Sequence, residues 1–300
     1  GDIVLVEVDE KSLREIDNWP WPRSEQAKII ETLDKLGARK IVFDIVYTGP
    51  GREADDRRLA EAMRKSGKVT LAAETRLGDN RGKETPGLPI PLLAREASIA
   101  SAAWSFNWQG AVWRLDEAVM FNGKPMPTLS AAMAGTDGKA NRKYPIDYSF
   151  DVNSIPRISA SDVLRGRVDP SAIRGKTIAF GTTAYRLGDL YTVPGRGKRG
   201  GVIVHILGAE TLKAGTPRIL GWLPAFVIAL AASVWCLLRR ESTPLGIAAA
   251  LILILPIPLE INLLFVDITA ALFLIVAIAA RLAWARSKSR GLVHALTGLP

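Results

Sequence analysis

The chain has 300 residues, 48% of them hydrophobic, and its 39 Lys and Arg exceed its 30 Asp and Glu, for a net charge of +9 at pH 7. This composition excludes a disordered chain, because so many apolar residues can form a packed core. The basic residues are mixed with acidic ones, and the densest basic stretch, residues 196–199, has no aromatic neighbours. We therefore expect membrane lipids as partners and no nucleic acid. A single Cys and two distant His predict neither disulfides nor a metal site.

Strands and helices alternate in the first third of the chain. Apolar runs typical of buried strands lie at residues 3–8, 40–47 and 69–73. Between them, apolar residues at helical spacing predict helices over residues 24–36, with Ser24 as N-cap, and 55–65. Strands separated by helices in this way predict parallel pairing with right-handed crossovers.

Shorter elements are predicted for the rest of the first 216 residues. Strand-like stretches lie at residues 98–107, 111–121, 144–148 and 177–180, and helical ones at 127–134, 159–164 and 204–214. Asn122-Gly123 is a turn signal. We therefore predict that residues 1–216 form one α/β domain with a mainly parallel central sheet.

Three long apolar spans follow this domain. They cover residues 220–238, 245–264 and 268–286, and each is close to the roughly 20 residues that a membrane-crossing helix needs. Arg239 and Arg240 follow the first span, and the basic residues 286–290 follow the third. Because cytoplasmic loops are rich in Lys and Arg, both ends are expected in the cytoplasm. We therefore predict an all-α region of three transmembrane helices over residues 217–286.

This topology predicts a multi-pass protein of the inner membrane. Residues 1–216 would be periplasmic or otherwise extracytoplasmic, and the C-terminal tail would be cytoplasmic. An extracytoplasmic domain needs a segment to carry it across the membrane, so we expect a membrane span before residue 1. The outer domain has no phosphate-binding loop and no signature of a Ser, His and acid set. We therefore predict no catalytic residue in this chain.

A series of motifs along residues 1–216 resembles a known family. The motifs are Asp9-Glu10-Lys11-Ser12-Leu13, Trp19-Pro20-Trp21-Pro22-Arg23, Phe43-Asp44-Ile45, Asp55-Asp56, Arg174-Gly175-Lys176 and Gly201-Val202 with His205. Their order and spacing resemble the type-two CHASE domain, a bacterial extracellular sensor family. The resemblance implies a sensor domain preceded by one membrane span and followed by three.

Two acidic residues lie at or near the ends of predicted strands. Asp9 and Asp44 are close to carboxyl ends of strands, where parallel sheets form ligand crevices. Arg23 follows the rigid Trp19–Pro22 segment near a helix start. With the family motifs, these positions predict that an unidentified polar ligand binds near Asp9, Trp19, Trp21, Arg23 and Asp44. The alternative is that the acids cap loops and helices and that the tryptophans brace a turn.

The last seven residues carry a second resemblance. His294-Ala295-Leu296-Thr297-Gly298-Leu299-Pro300 is similar to the opening of GGDEF domains, the diguanylate cyclase family, with His294 in place of the usual Asp. The resemblance implies that residues 287–300 form a cytoplasmic linker and the first residues of an output domain. That domain would make cyclic di-GMP from GTP with a divalent metal such as Mg²⁺. The chain has no GG[D/E]EF signature and is expected to hold no cofactor.

Other functions stay open on the sequence. Type-two CHASE domains also precede histidine kinases and adenylate cyclases, so the output domain could be either of these. Cyclase and kinase outputs usually act as dimers, and we therefore expect a homodimer. A structural or transport-associated membrane protein with an outer α/β domain is the alternative outside signalling.

Overall fold

A computed structural model describes the chain except residues 17–18, 75–86, 109, 196, 240, 262 and 298–300, with the backbone alone described at residues 261 and 289–297. The chain divides into two compact units, Gly1–Thr216 and Pro217–Pro300. The strands of the first unit are β1 (Ile3–Val8), β2 (Lys40–Val46), β3 (Val69–Ala73), β4 (Ser98–Ser101), β5 (Arg114–Asp116), β6 (Ala118–Phe121), β7 (Lys124–Pro127), β8 (Lys143–Pro145), β9 (Arg157–Ser159), β10 (Thr177–Thr182), β11 (Leu190–Val193) and β12 (Gly197–Gly200). Its helices are α1 (Glu10–Glu15), α2 (Arg23–Lys35), α3 (Glu53–Ser66), α4 (Pro91–Ala94), α5 (Leu129–Ala134), α6 (Ala160–Leu164), α7 (Pro170–Ile173) and α8 (Gly201–Ala214).

A six-stranded sheet forms the centre of the first unit. Its strand order is β4-β3-β2-β10-β1-β9, and all neighbouring strands are parallel. Strands β1 and β3 are buried at every position, as expected of parallel strands that are covered on both faces. The predicted α/β fold with a parallel central sheet is therefore confirmed.

Successive side chains of each strand enter two different cores, because strand side chains alternate between the faces of a sheet. On one face, Phe43 and Phe180 contact each other with ring centroids 4.5 Å apart and pack with apolar residues of α2, α3 and α6. On the other face, Val42 and Ala179 pack with α5 and α8. Asp44 lies two residues beyond Val42 and so belongs to the face that α8 covers.

The helix after β2 shows how local sequence sets its ends. Acidic residues occupy the first turn of α3 and basic residues the last, which complements the helix dipole. Gly67 ends the helix in the left-handed conformation, with φ of +62°. The predicted start of α2, with Ser24 as its N-cap, differs from the structure. The helix begins at Arg23, Pro22 occupies the N-cap position, and Ser24 makes no cap.

The middle of the first unit departs from the predicted long strands. Strand β4 ends at Ser101, and the stretch predicted as one strand over residues 111–121 forms two, β5 and β6. These strands pair antiparallel with β8 and β7, outside the central sheet. Asn122 and Gly123 both have positive φ and turn the chain tightly between β6 and β7.

The second unit is mainly helical. It contains β13 (Arg218–Gly221), α9 (Leu223–Arg239), α10 (Thr243–Ile254), α11 (Pro256–Ile261), β14 (Leu264–Val266) and α12 (Thr269–Thr297). By length and composition, two of its described segments could cross a membrane, Thr243–Glu260 and Thr269–Lys288, while α9 is apolar but shorter. The first predicted span begins within β13 and the second ends at the first residue of β14, and these two strands pair in parallel.

Candidate ligand-binding site

A crevice lies at the carboxyl edge of the central sheet in the first unit. Its volume of about 750 Å³ falls within the range of about 300–1,000 Å³ that is usual for small-molecule pockets. The described residues that line the crevice are Trp19, Asp44, Ile45, Val46, Glu74, Ala102, Ala103, Trp104, Ser105, Phe106, Thr182, Asp189, Tyr191, Gly201 and His205. Most of them end or follow β2, β3, β4 and β10, so the crevice occupies the position where parallel sheets bind ligands.

Asp44 is the most perturbed acid of the crevice. No described residue gives its carboxylate a hydrogen bond or an ion pair. Burial raises the pKa of Asp44 to about 7, and the negative charge of Asp189 adds to the rise. Asp44 therefore exchanges a proton near neutral pH, unlike an ordinary carboxyl group.

Asp189 is positioned by the loop between β10 and β11. The hydroxyl of Thr182 donates a hydrogen bond to its Oδ2 at 3.2 Å. A Cβ placed on Gly201 would lie 3.2 Å from the same oxygen, so the carboxylate lies beside the first residue of α8. The crevice thus brings two acids together, Asp189 beside the start of α8 and Asp44 at the end of β2.

Aromatic side chains form one wall of the crevice. Trp104 meets the edge of Tyr191 with ring centroids 4.7 Å apart, and Phe106 stacks on Tyr191 at 5.9 Å. Burial raises the pKa of Tyr191 to about 12, with the charge of Asp189 as the next cause, so its hydroxyl stays neutral. The three aromatic side chains thus give the lining of the crevice a contiguous apolar part.

His205 lies under the aromatic wall, on α8. Its ring is 1% exposed, packs against Trp104 at 4.6 Å and has Nδ1 3.3 Å from the Ser130 hydroxyl. Burial lowers the pKa of His205 to about 3, against an opposing effect of the Ala102 backbone, so the ring is neutral at physiological pH. Its Nε2 makes no hydrogen bond of normal geometry with any described residue.

The structure brings only two of the five predicted site residues into the crevice, Trp19 and Asp44. Asp9 caps α1, accepting hydrogen bonds from the Ser12 amide at 2.7 Å and the Ser159 hydroxyl at 2.5 Å. These contacts tie β1 and β9 to α1 and leave Asp9 engaged in the fold.

Arg23 and Trp21 lie on the opposite face of the sheet, next to the first residues of α2. Arg23 donates to Asp56 at 2.6 Å and to the Gly49 carbonyl at 2.5 Å, and its guanidinium lies over the Tyr47 ring. Trp21 is 2% exposed and contacts Trp19 edge to face at 5.2 Å. Arg23 therefore joins α2 to α3 and the loop before it, and Trp21 packs in the core on that face, so neither side chain lines the crevice.

Sequence reasoning missed the acid and the aromatic residues that the loops contribute. Asp189 and Tyr191 lie outside the predicted elements. Trp104 and Phe106 fall within the strand predicted over residues 98–107, but β4 ends at Ser101 and both residues belong to the loop that follows it. The available signal was position alone, since Asp189 follows β10 and Trp104 follows β4. Among the described residues, no three His, Cys, Asp or Glu side chains converge to hold a metal ion.

Comparison with known proteins identifies one family. The family model described as the CHASE2 domain matches residues 1–239. No curated protein and no solved structure matches the chain.

Proposed function

This chain belongs to the CHASE2 domain family of extracellular sensor domains in signalling proteins, and we propose that it is the sensory input module of a membrane-bound diguanylate cyclase. In this proposal, residues 1–216 sense a ligand outside the inner membrane, residues 217–286 form three transmembrane helices, and residues 287–300 enter a cytoplasmic GGDEF-type output domain. The protein would act as a homodimer. The crevice at the sheet edge would be the sensing site.

The observation that carries the cyclase output is the sequence Leu-Thr-Gly-Leu-Pro at residues 296–300. It is similar to the opening of GGDEF domains, and it begins about ten residues after the third apolar span, which ends at residue 286. Residues 298–300 of this motif lie outside the described residues, and α12 reaches Thr297. The chain has no GG[D/E]EF signature and its described residues form no metal-binding group, so GTP and Mg²⁺ are assigned to the output domain.

The packing of the second unit supports its placement in a membrane. Small residues such as Ala225, Ala229 and Ala271 form the interface between its helices. Large apolar side chains face outward, including Leu251 and Phe273 at 56% and 73% exposure. In a soluble protein this arrangement would leave a large apolar surface in water, whereas lipid accepts it. Helix α9 has 17 residues, about 26 Å of helix, which nearly spans about 30 Å of hydrocarbon and supports a third crossing.

The length of α12 supports a route for the signal. Its 29 residues correspond to about 43 Å, which exceeds the hydrocarbon thickness of about 30 Å. The helix would therefore continue from the membrane toward the output domain without a break. A shift or rotation of this helix could then alter the pairing of two output domains.

The test is to express the complete gene, reconstitute the protein in lipid nanodiscs and assay cyclic di-GMP from GTP and Mg²⁺. We expect product, and a GG[D/E]EF motif in the residues after Pro300. Cyclic AMP from ATP, or histidine autophosphorylation, would replace the cyclase output by an adenylate cyclase or a kinase. No nucleotide activity of any kind would favour the structural or transport-associated alternative.

A further inference from the structure

We propose that the crevice binds a small organic cation with an ammonium group, held by the carboxylates of Asp44 and Asp189 against the rings of Trp104 and Tyr191. The proposal names the ligand class of the sensing site and in that respect rests on the proposed function. Binding itself can be measured without any output activity.

The charge of the crevice is opposite to that of the protein. The chain has a net charge of +9, yet the described lining of the crevice contains Asp44 and Asp189, together with Glu74, which has a partner of its own, and neither Lys nor Arg. His205, the remaining titratable side chain besides Tyr191, is neutral because it is buried. A cation in this space would compensate negative charges, whereas an anionic ligand would meet two unfavourable carboxylates.

Asp44 points most directly to a missing partner. Carboxylates that are removed from water are normally paired or hydrogen-bonded, because their desolvation is costly. Asp44 is partly buried at the edge of the crevice and has no such partner among the described residues, and the nearby charge of Asp189 makes its ionisation harder. A bound ammonium group would supply the hydrogen-bond donors and positive charge that this carboxylate lacks.

The aromatic wall favours an organic cation over a metal ion. Ammonium groups bind well against Trp and Tyr rings, and Trp104 and Tyr191 both line the crevice. Divalent metals instead need several converging oxygen or nitrogen ligands, and the described residues contain no group of three such acidic, His or Cys side chains. The volume of about 750 Å³ also exceeds what a bare ion requires.

The unpartnered Nε2 of His205 is a further polar feature of the lining. Because the ring is held by Trp104 and Ser130, its position does not depend on the ligand. It stays neutral and can donate or accept a hydrogen bond according to its tautomer, so it brings no positive charge that would oppose a bound cation.

The experiment measures binding to the full chain in zwitterionic nanodiscs at about 0.15 M salt, so that the lipid surface does not attract cations. Tetramethylammonium, putrescine and agmatine are titrated while tryptophan fluorescence is followed. The neutral 1,4-butanediol and the anion succinate match putrescine in length, and MgCl₂ tests a metal. We expect saturable binding of at least one of the three cations and none of the three controls.

Variants connect that binding to the crevice. Asp44→Asn and Asp189→Asn should each weaken the bound cation at least about tenfold, because each removes one charge partner. The matched control is Asp147→Asn, a buried aspartate outside the crevice that accepts a hydrogen bond from the Ser149 amide at 2.9 Å. This control should bind as the wild type does.

Three outcomes would overturn the proposal. These are failure of all three cations to bind, equal binding of 1,4-butanediol or MgCl₂, or unchanged affinity in both crevice variants. Binding without any effect on cyclic di-GMP synthesis would instead count against the proposed function alone. A working cyclase whose wild-type crevice binds no cation would count against this inference alone.

Discussion

Replacing Asp44 by Asn should stabilise the first unit, although it removes a charged residue of the proposed site. Burial, with the charge of Asp189 as second cause, raises the pKa of Asp44 from 3.8 to about 7. The two values differ by about 3, and each unit corresponds to about 1.4 kcal/mol, so ionised Asp44 costs the fold up to about 4 kcal/mol. Because the crevice admits water and the new amide lacks partners of its own, we expect a net gain of about 2 kcal/mol.

The gain depends on pH in a defined direction. Below the unfolded pKa of 3.8, Asp44 is protonated in both states and costs nothing. The cost grows as the pH rises between the two pKa values and is complete above about 7. The advantage of Asp44→Asn should therefore be largest at pH 8 and smaller at pH 5.

The assay is thermal unfolding of the full chain in nanodiscs at pH 5 and pH 8. Unfolding of the first unit is monitored by the loss of its resistance to protease. A gain of about 2 kcal/mol corresponds to a rise in Tm of about 4–8 °C for a unit of this size. The control Asp147→Asn should show no such rise, because that carboxylate is already hydrogen-bonded. An Asp44→Asn variant no more stable than the wild type at pH 8, or one whose advantage grows as the pH falls, would refute the reasoning.

Three further predictions concern the fold and topology. Arg23→Ala should lower the free energy of unfolding by about 3 kcal/mol in chemical denaturation, because it leaves the buried carboxylate of Asp56 unpaired. The control Arg57→Ala breaks only an exposed ion pair with Glu53 and should cost less than about 1 kcal/mol; equal costs would contradict the structural role of Arg23. Asp9→Ala should cost about 1–2 kcal/mol through loss of the α1 cap while cation affinity is unchanged, and a loss of affinity in the folded variant would return Asp9 to the site. Alkaline phosphatase fused after Gly215 should be active and a fusion in the C-terminal tail inactive, and the reverse pattern would invert the proposed topology.

The candidate site was only partly predictable from the sequence. Asp44 could be predicted as a site residue because it lies near the end of a short buried strand. Parallel sheets bind ligands at the carboxyl ends of their strands. Asp9 satisfies the same rule, yet its side chain turns back to cap α1 and bonds with Ser159, 150 residues away. No local sequence pattern distinguishes an acid that lines the crevice from one that caps a helix, because the difference depends on which loop lies above each strand end. Asp189 follows β10 and lies near Asp44 because β10 pairs with β2 in the sheet.

The sequence by itself determined the alternation of strands and helices and the apolar or polar character of each element. Uninterrupted apolar runs specify buried strands, helical spacing specifies their crossovers, and all-apolar spans specify a second unit unlike the first. The tertiary structure decided the insertion of β10 between β1 and β2 and the pairing of β13 with β14. It also divided residues 111–121 into two strands, β5 and β6, which pair antiparallel with β8 and β7. These features join residues far apart in the chain, so they arise from packing and strand pairing that local propensity does not contain.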